Sequence, residues 1–197
     1  MTPGRRERTF LAVALDDLSR HALAAHLDPH LGVFALDDGA PPERMTPGRP
    51  VPIANWHLTL RFLGATTELQ RDLVLGRLAQ HHLPRPFRVR FGALGAFPRP
   101  DRASVLWLGV EGGAEDLADL AAVSEDAAQG AGFPPEDRPF HPHLTLSRIR
   151  PPEDIAPLLD AVPPSRTGML VEAVTLFRTR LGGGPVRYEV IDEVPLG

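Results

Sequence analysis

The tetrapeptide His-Leu-Thr-Leu occurs twice in this chain of 197 residues, at positions 57–60 and 143–146. The two copies begin 143 − 57 = 86 residues apart, and each lies in a short stretch that is typical of a strand. Side chains alternate between the two faces of a strand, so the histidine and threonine of each copy share one face and the two leucines share the other. The repeat therefore predicts two strands that each present an imidazole and a hydroxyl on a polar face.

The same alternation assigns the residues that follow each tetrad. It places Arg61 on the polar face of the first strand and Phe62 on the leucine face. It places Ser147 on the polar face of the second strand and Arg148 on the leucine face. If the two strands are neighbours at the centre of the molecule, two imidazoles and two hydroxyls meet in one cleft.

Such a cleft suits phosphodiester chemistry without a metal ion. The ordinary pKa of histidine is near 6.5, so one of His57 and His143 can accept a proton while the other donates one. The hydroxyls of Thr59 and Thr145 can donate hydrogen bonds to phosphate oxygens, and a nearby arginine can neutralise charge on them.

Two other interpretations of the repeat stay open. The duplication could serve a purely structural role. His141 and His143 also form a His-x-His pair, and histidine is a frequent zinc ligand. Because no HExxH motif or paired carboxylate motif accompanies this pair, we expect no metal site and no cofactor.

Composition narrows the classes of function. The chain has no cysteine, which excludes disulfides, thiolate metal sites and a thiol nucleophile. It has no lysine either, which excludes Schiff-base chemistry, a Walker-type phosphate loop and nucleotidyl transfer through lysine. The net charge of −4 argues against a broad nucleic-acid footprint, so phosphate binding must be local. No apolar run is long enough for a membrane span, and we expect a cytoplasmic location.

The pattern of elements predicts an α+β fold within a single bilobal unit over residues 1–197. The expected order is strand, helix, strand, helix, strand, strand, helix, strand, helix, strand, strand, which indicates antiparallel sheets covered by helices. Thr67 and Gln70 form a capping box before a helix that carries Leu69, Leu73 and Leu78. Residues 28–54 are rich in proline and glycine and predict a long surface loop.

Four segments carry a family resemblance: NWHLTLRFLG, FPRPDRASVLWLGV, GFPPEDRPFHPHLTLSR and LFRTRLGGGPVRYEV. In order and spacing they resemble the two-histidine (2H) phosphoesterase superfamily, and within it the RNA 2′,3′-cyclic phosphodiesterases, also called 2′-5′ RNA ligases. The resemblance spans roughly residues 8–27 and 55–195. It implies two similar lobes of antiparallel sheet with outer helices, around a central cleft where the two tetrads face each other.

The resemblance also implies an activity. Relatives of this kind hydrolyse a 2′,3′-cyclic phosphate at an RNA end to a 2′-phosphate, without metal or nucleotide cofactor. They also join RNA ends such as tRNA halves reversibly through a 2′-5′ bond without ATP. The implied partner is an RNA terminus, and no protein partner is implied. Two alternatives stay open: an RNA-end binding protein without turnover, and a cyclic phosphodiesterase for small nucleotides such as ADP-ribose cyclic phosphate.

By the same resemblance, His57 and His143 are the acid and base, and Thr59 and Thr145 hold the phosphate. For hydrolysis we expect His57 to protonate the leaving 3′ oxygen and His143 to activate water. Arg148 matches an arginine that assists phosphate binding in relatives. Because ideal alternation puts it on the leucine face, a twist, a bulge or the end of the strand must turn it inward.

Base recognition is expected from aromatic stacking, which tolerates any base. Phe62, Phe140 and Phe10 are candidates near the two strands, although each also fits a core position. His141 is expected at the mouth of the cleft. The 28–54 segment is longer than is common in the family, which leaves the size of the substrate open.

Overall fold

The computed structural model describes residues 6–33, 46–180, 182 and 186–197. The strands are β1 (Glu7–Ala14), β2 (Arg49–Pro50), β3 (His57–Thr66), β4 (Phe87–Phe97), β5 (Ala103–Gly112), β6 (His143–Glu153), β7 (Gly168–Val171), β8 (Ala173–Arg180) and β9 (Arg187–Pro195). The helices are α1 (Asp17–Leu31), α2 (Glu68–Gln80), α3 (Ala114–Gly130) and α4 (Ala156–Ala161). None of these helices has the length and apolar character required to cross a lipid bilayer.

All the strands belong to one antiparallel sheet. Its order is β7-β4-β5-β6-β3-β1-β8-β9, and the short β2 also pairs with β6. The sheet has two halves. The first consists of β3, β1, β8 and β9, and the second of β7, β4, β5 and β6. The two halves are paired through one residue pair, Leu58 of β3 with Leu144 of β6. Both leucines are fully buried. The predicted α+β class is confirmed, and the two halves are continuous through the centres of the two tetrads.

This junction positions the polar residues of both tetrads. Leu58 and Leu144 are each preceded by the histidine and followed by the threonine of their own tetrad. Side chains alternate along a strand, so these four polar groups lie on the face opposite the paired leucines. The leucine face is the core of the molecule, and the opposite face lines the cleft.

Helices cover the core face of the sheet. α3 packs on β3 and on α2, and its buried residues include Leu117 and Leu120. α1 reaches the second half of the sheet, where Ser19 Oγ donates a hydrogen bond to the Gly168 carbonyl at 3.4 Å. The predicted capping box of Thr67 and Gln70 starts α2, but the apolar side of this helix differs from the expectation. Leu69 and Leu73 are 69% and 46% exposed, while Val74 and Leu78 are buried.

The expected loop over residues 28–54 begins later in the structure than the sequence predicted. α1 continues to Leu31 although Pro29 lies inside it, because Leu27 and Leu31 are buried in the core. The expected 28–54 loop therefore begins later, and it also contains β2 and a 3₁₀ turn over Ile53–Asn55. Residues 34–45 of that segment lie outside the described residues.

The next-to-last strand of the expected order, MLVEAVTLFRT over residues 169–179, is two strands in the structure. Glu172 separates β7, which pairs with β4, from β8, which pairs with β1. Five strands lie between β7 and β8 in the sheet order, yet one residue connects them along the chain. Since two consecutive Cα atoms are ~3.8 Å apart, the sheet must curl until its β7 edge reaches β8.

Candidate active site

The first tetrad strand has a β-bulge at the last residue of the tetrad. On β3, Thr59 pairs with Ala12 and Arg61 pairs with Leu11, so Leu60 has no partner on β1. The extra residue reverses the alternation that follows it. Arg61 turns into the core, where it forms an ion pair with Glu125 of α3, and Phe62 turns to the cleft face with 49% of its surface exposed. The expected placement of these two side chains was wrong for this reason.

The second tetrad strand has a bulge at the equivalent residue. On β6, Thr145 pairs with Trp107 and Ser147 pairs with Leu106, so Leu146 has no partner on β5. Ser147, expected on the polar face, is fully buried and donates a hydrogen bond to the Pro47 carbonyl. Arg148 turns to the cleft face and is exposed. A bulge is therefore the distortion that brings Arg148 to the side of the two histidines.

Each tetrad imidazole is fixed by a hydrogen bond to the backbone two residues earlier. His57 Nδ1 lies 2.7 Å from the Asn55 carbonyl oxygen, and His143 Nδ1 lies 2.7 Å from the His141 carbonyl oxygen. A carbonyl only accepts, so Nδ1 carries the proton in both rings. Nε2 of each neutral ring then keeps a free lone pair, which is the requirement for a proton acceptor.

Aromatic rings surround His57. Its ring centroid lies 4.8 Å from Phe10, 5.1 Å from Tyr188 and 5.9 Å from Phe177. The contact with Tyr188 is edge to face, with an interplanar angle of 88°. These rings take the imidazole partly out of water and restrict its rotation.

A second set of rings surrounds His143. Its centroid lies 5.1 Å from Phe97, 6.1 Å from Trp107 and 6.1 Å from His141. Trp107 is the β5 partner of Thr145, so its indole stands on the cleft face beside the threonine. Both tetrad histidines therefore have an apolar ring environment and one backbone acceptor.

This environment keeps both imidazoles neutral. Burial, together with the positive charges of Arg148 and His143, lowers the pKa of His57 to about 4, against the opposing effect of the hydrogen bond to the Asn55 carbonyl. Burial also lowers the pKa of His143, with the charges of His141 and Arg148 acting in the same direction, against the hydrogen bond to the His141 carbonyl. The charge of Arg148 acts on both rings, and the bulge at Leu146 turns this residue to the face on which they lie.

Comparison with known proteins identifies the family. The sequence model of the 2′-5′ RNA ligase superfamily matches residues 49–183, which are 135 of the 197 residues. The chain belongs to the 2′-5′ RNA ligase superfamily. An RNA 2′,3′-cyclic phosphodiesterase of Aquifex aeolicus is 35% identical over 157 residues, which cover 76% of this chain and 82% of that protein.

Two further similarities support the membership. An RNA 2′,3′-cyclic phosphodiesterase of Aeropyrum pernix is 44% identical over 104 residues, which cover 53% of this chain and only 58% of that protein. The crystal structure of Escherichia coli LigT complexed with 3′-AMP has a TM-score of 0.76 at 28% identity and covers 97% of this chain and 98% of that chain. The 2′-5′ RNA ligase fold therefore extends over nearly the whole chain.

In this 2′-5′ RNA ligase superfamily member, the two threonine hydroxyls are available to bind a ligand. Thr59 and Thr145 are half-buried, and neither has a side-chain hydrogen bond within the described part of the chain. Both stand on the cleft face, next to the imidazole of their own tetrad. Among the described residues, no three His, Asp or Glu side chains are grouped as metal ligands would be.

The aromatic candidates occupy different positions. Phe62 is at the surface of the cleft, with its ring 5.9 Å from Phe10. Phe10 itself is 3% exposed, so it supports His57 but offers no open surface for stacking. Phe140 packs against the main hydrophobic core. His141 is exposed, and its ring lies 4.9 Å from Trp107.

Sequence reasoning missed several residues of the site. Asn55 holds His57 through its backbone, while its side chain donates to the Val186 carbonyl and accepts from the Tyr188 amide at 2.6 and 3.1 Å. The acceptors of both tetrad histidines are backbone carbonyls, which every residue has, so the sequence offered no signal for these two hydrogen bonds. The aromatic residues from other strands gave no local signal, because only the sheet order brings them to the histidines.

Proposed function

We propose that this protein hydrolyses 2′,3′-cyclic phosphate ends of RNA to 2′-phosphates by acid-base catalysis with His57 and His143. One observation carries the proposal: two imidazoles with fixed tautomers and free Nε2 atoms flank a single leucine pair, with Arg148 on the same face of the sheet. The similarity to the RNA 2′,3′-cyclic phosphodiesterases of Aquifex aeolicus and Aeropyrum pernix supports the same substrate class.

In the proposed ground state, the cyclic phosphate lies between the two tetrads. The hydroxyls of Thr59 and Thr145 donate hydrogen bonds to its nonbridging oxygens, and Arg148 neutralises their charge. Both imidazoles are neutral in the free protein because both pKa values are lowered. The bound anion raises the pKa of the nearer ring, so binding favours the state with one protonated imidazole.

In the proposed chemical step, the Nε2 of one neutral imidazole removes a proton from water as that water attacks phosphorus. The bond between phosphorus and O3′ breaks, and the other imidazole donates its proton to O3′. The product carries a 2′-phosphate and a 3′-hydroxyl, and transfer of a proton between the rings through solvent restores the enzyme. We assign the role of acid to His57 and the role of base to His143. The hydrogen bond between His143 and the backbone is exposed, while that of His57 is partly buried, so His143 is the ring closer to solvent water.

Phe62 is proposed to stack on the terminal base, since it is the exposed ring on the cleft face. His141 is proposed to line the entrance on the opposite side, beside Trp107 and His143. In this arrangement an exposed ring for a base, Phe62, and a guanidinium for phosphate, Arg148, lie on different tetrad strands.

The decisive experiment is product analysis after incubation of the protein with a short RNA that ends in a 2′,3′-cyclic phosphate, in the presence of EDTA. We expect a 2′-phosphate product at the same rate with and without the chelator. His57→Ala and His143→Ala should each lower kcat at least about 100-fold, because each removes one proton-transfer step. A 3′-phosphate product, or either variant with most of its turnover, would contradict the proposal.

The joining of RNA ends follows from the same proposed site, as a reaction parallel to hydrolysis. When the 5′-hydroxyl of a second RNA takes the place of water, the attack on phosphorus yields a 2′-5′ bond without ATP. We propose tRNA halves in the cytoplasm as a source of such ends. The small-nucleotide alternative is tested by an assay of ADP-ribose cyclic phosphate beside RNA, and it predicts faster turnover of the nucleotide. The alternative of a non-catalytic RNA-end binding protein predicts that RNA binds and no product forms.

A further inference from the structure

We propose that Arg49, Arg148 and Arg150 form a track that binds successive phosphates of a single-stranded RNA, so that the substrate is an oligonucleotide and not a single nucleotide. The inference rests on the proposed function and names the substrate class of the same site. It assigns Arg49 and Arg150 to the phosphates upstream of the reacting one.

The three arginines lie on one face of two paired strands. Arg49 of β2 is the cross-strand partner of Arg148 of β6, and Arg150 follows two residues later on β6. Since the bulge at Leu146 turns Arg148 to the cleft face, alternation places Arg150 on that face as well. All three line one open groove of about 590 Å³, together with Gly48, Pro151 and Glu153.

The backbone at the start of β2 is shaped for this pairing. Gly48 has φ of +71°, and a Cβ at this position would lie 2.5 Å from the Arg148 carbonyl oxygen and 2.7 Å from Ile149 Cα. Only glycine permits this approach in this conformation. The glycine therefore lets the two strands approach closely enough for Arg49 to stand opposite Arg148.

The positive charges of the groove are not compensated by the protein. Like charges directly opposite each other destabilise a pair of strands. Within the described residues, none of these three arginines forms an ion pair or a side-chain hydrogen bond, although Glu153 lines the same groove. By contrast, Arg178 and Arg180 share the carboxylates of Glu7 and Glu189. An external anion can therefore neutralise the charges of these three arginines.

The spacing of the charges selects a polyanion. Arg148 stands on the face of β6 that carries His143 and Thr145, because of the bulge at Leu146, and so marks the reacting phosphate. Alternate residues of a strand are about 6.6 Å apart, a spacing similar to that of successive phosphates in an extended RNA strand. Guanidinium groups bind phosphate through two parallel hydrogen bonds. A nucleoside 2′,3′-cyclic phosphate has no second phosphate and therefore leaves Arg49 and Arg150 unused.

Three substrates test the track: cytidine 2′,3′-cyclic phosphate, the same nucleotide with a 5′-phosphate, and a five-nucleotide RNA with a 2′,3′-cyclic phosphate end. We expect kcat/KM of the wild-type protein to be highest for the RNA. In the double variant Arg49→Ala/Arg150→Ala, the ratio of kcat/KM for the RNA to kcat/KM for cytidine 2′,3′-cyclic phosphate should fall roughly tenfold or more. Arg85→Ala, an exposed arginine outside the groove, is the matched control and should keep the wild-type ratio.

Salt dependence gives a second readout. The slope of log KM for the RNA against log salt should become shallower by about 1.4 in the double variant, because two phosphate contacts are lost. An unchanged ratio and slope would overturn the track. A ratio that falls as much for the 5′-phosphorylated nucleotide as for the RNA would assign the groove to a single 5′-phosphate of small nucleotides and overturn the oligonucleotide assignment.

A binding measurement separates the track from the catalytic proposal. Fluorescence anisotropy with a five-nucleotide RNA that ends in a 3′-phosphate requires no turnover. If the wild-type protein hydrolyses none of the substrates, the proposed function fails, while weaker RNA binding by the double variant still supports the track. Arg49→Glu/Arg150→Glu should weaken binding further than the alanine variant, and equal binding by all proteins would overturn the track.

Discussion

The bulge in β3 brings Phe62 to the cleft face, and the bulge in β6 brings Arg148 to the same face. Phe62 and Arg148 are separated by the same 86 residues as the two tetrads, since 148 − 62 = 86. Both are exposed on the cleft face, one as an aromatic ring and the other as a guanidinium. The duplicated backbone thus has unlike chemistry on its two sides, which gives the substrate one orientation.

The lowered pKa of His57 predicts a specific loss of stability in acid. The unfolded chain binds a proton at His57 below pH ~6.5, while the folded protein does so only near pH 4, so the free energy of unfolding falls as the pH drops through this interval. The loss from this residue is up to about 3 kcal/mol, and stability is fully retained above pH ~6.5. Urea unfolding at several pH values, for the wild-type protein and for His57→Gln, measures it.

The glutamine variant should lose less stability than the wild-type protein between pH 6.5 and 4, because it has no group to protonate. Parallel curves for the two proteins would show that the burial of His57 has no such effect. His21→Gln, at an exposed histidine of α1, is the control and should follow the wild-type curve.

At the scale of single elements, the connection from the 3₁₀ turn to β3 positions the first imidazole. The backbone carbonyl of Asn55 accepts a hydrogen bond from His57 Nδ1. The side chain of Asn55 donates to the Val186 carbonyl and accepts from the Tyr188 amide, at the start of β9. Because Tyr188 of β9 contacts the His57 ring, Asn55 sets the relative position of both groups.

We expect Asn55→Asp to lower kcat about tenfold with little change in KM, because a carboxylate cannot donate to the Val186 carbonyl and the two strands shift against each other. The pH dependence of kcat should also move, since the carboxylate raises the pKa of nearby His57. Steady-state kinetics between pH 5 and 9 measure both effects. An unchanged pH profile with a lower melting temperature would show that Asn55 has only a structural role.

Local sequence predicted the elements better than it predicted their faces. The two tetrad strands and the capping box of Thr67 follow from short-range rules, and the structure has them. The faces of Arg61 and Ser147 did not follow, because a bulge depends on how the neighbouring strand pairs and not on the bulged residues alone. The break at Glu172 has the same origin, since β7 and β8 pair with strands from different halves of the sheet.

At the scale of the whole molecule, the two halves of the sheet are paired at one point beside the two histidines. In the described part of the chain, Leu58 and Leu144 are the one pair in register between β3 and β6, and both side chains are buried where the two halves meet. Their position sets the separation of the two imidazoles, because each leucine is adjacent in sequence to a tetrad histidine.

Truncation at this junction should affect stability and catalysis together. Leu144→Ala should lower the free energy of unfolding by about 2–5 kcal/mol and reduce kcat, because the cavity lets the two strands approach or separate. Leu69→Ala, at an exposed leucine of α2, should change neither quantity measurably. Urea unfolding and steady-state kinetics of both variants provide the comparison, and a Leu144→Ala protein with wild-type kcat would show that the junction does not control the site.

The single residue between β7 and β8 has a mechanical consequence. Five strands lead from β7 to β8 by hydrogen bonds, and Glu172 leads back by covalent bonds, so the path of the backbone closes into a ring. The two halves of the sheet are thus tied together twice, at the Leu58–Leu144 pair and through the peptide bonds of Glu172. We therefore expect little hinge motion between them, and a distance between the two imidazoles that changes little when a substrate binds.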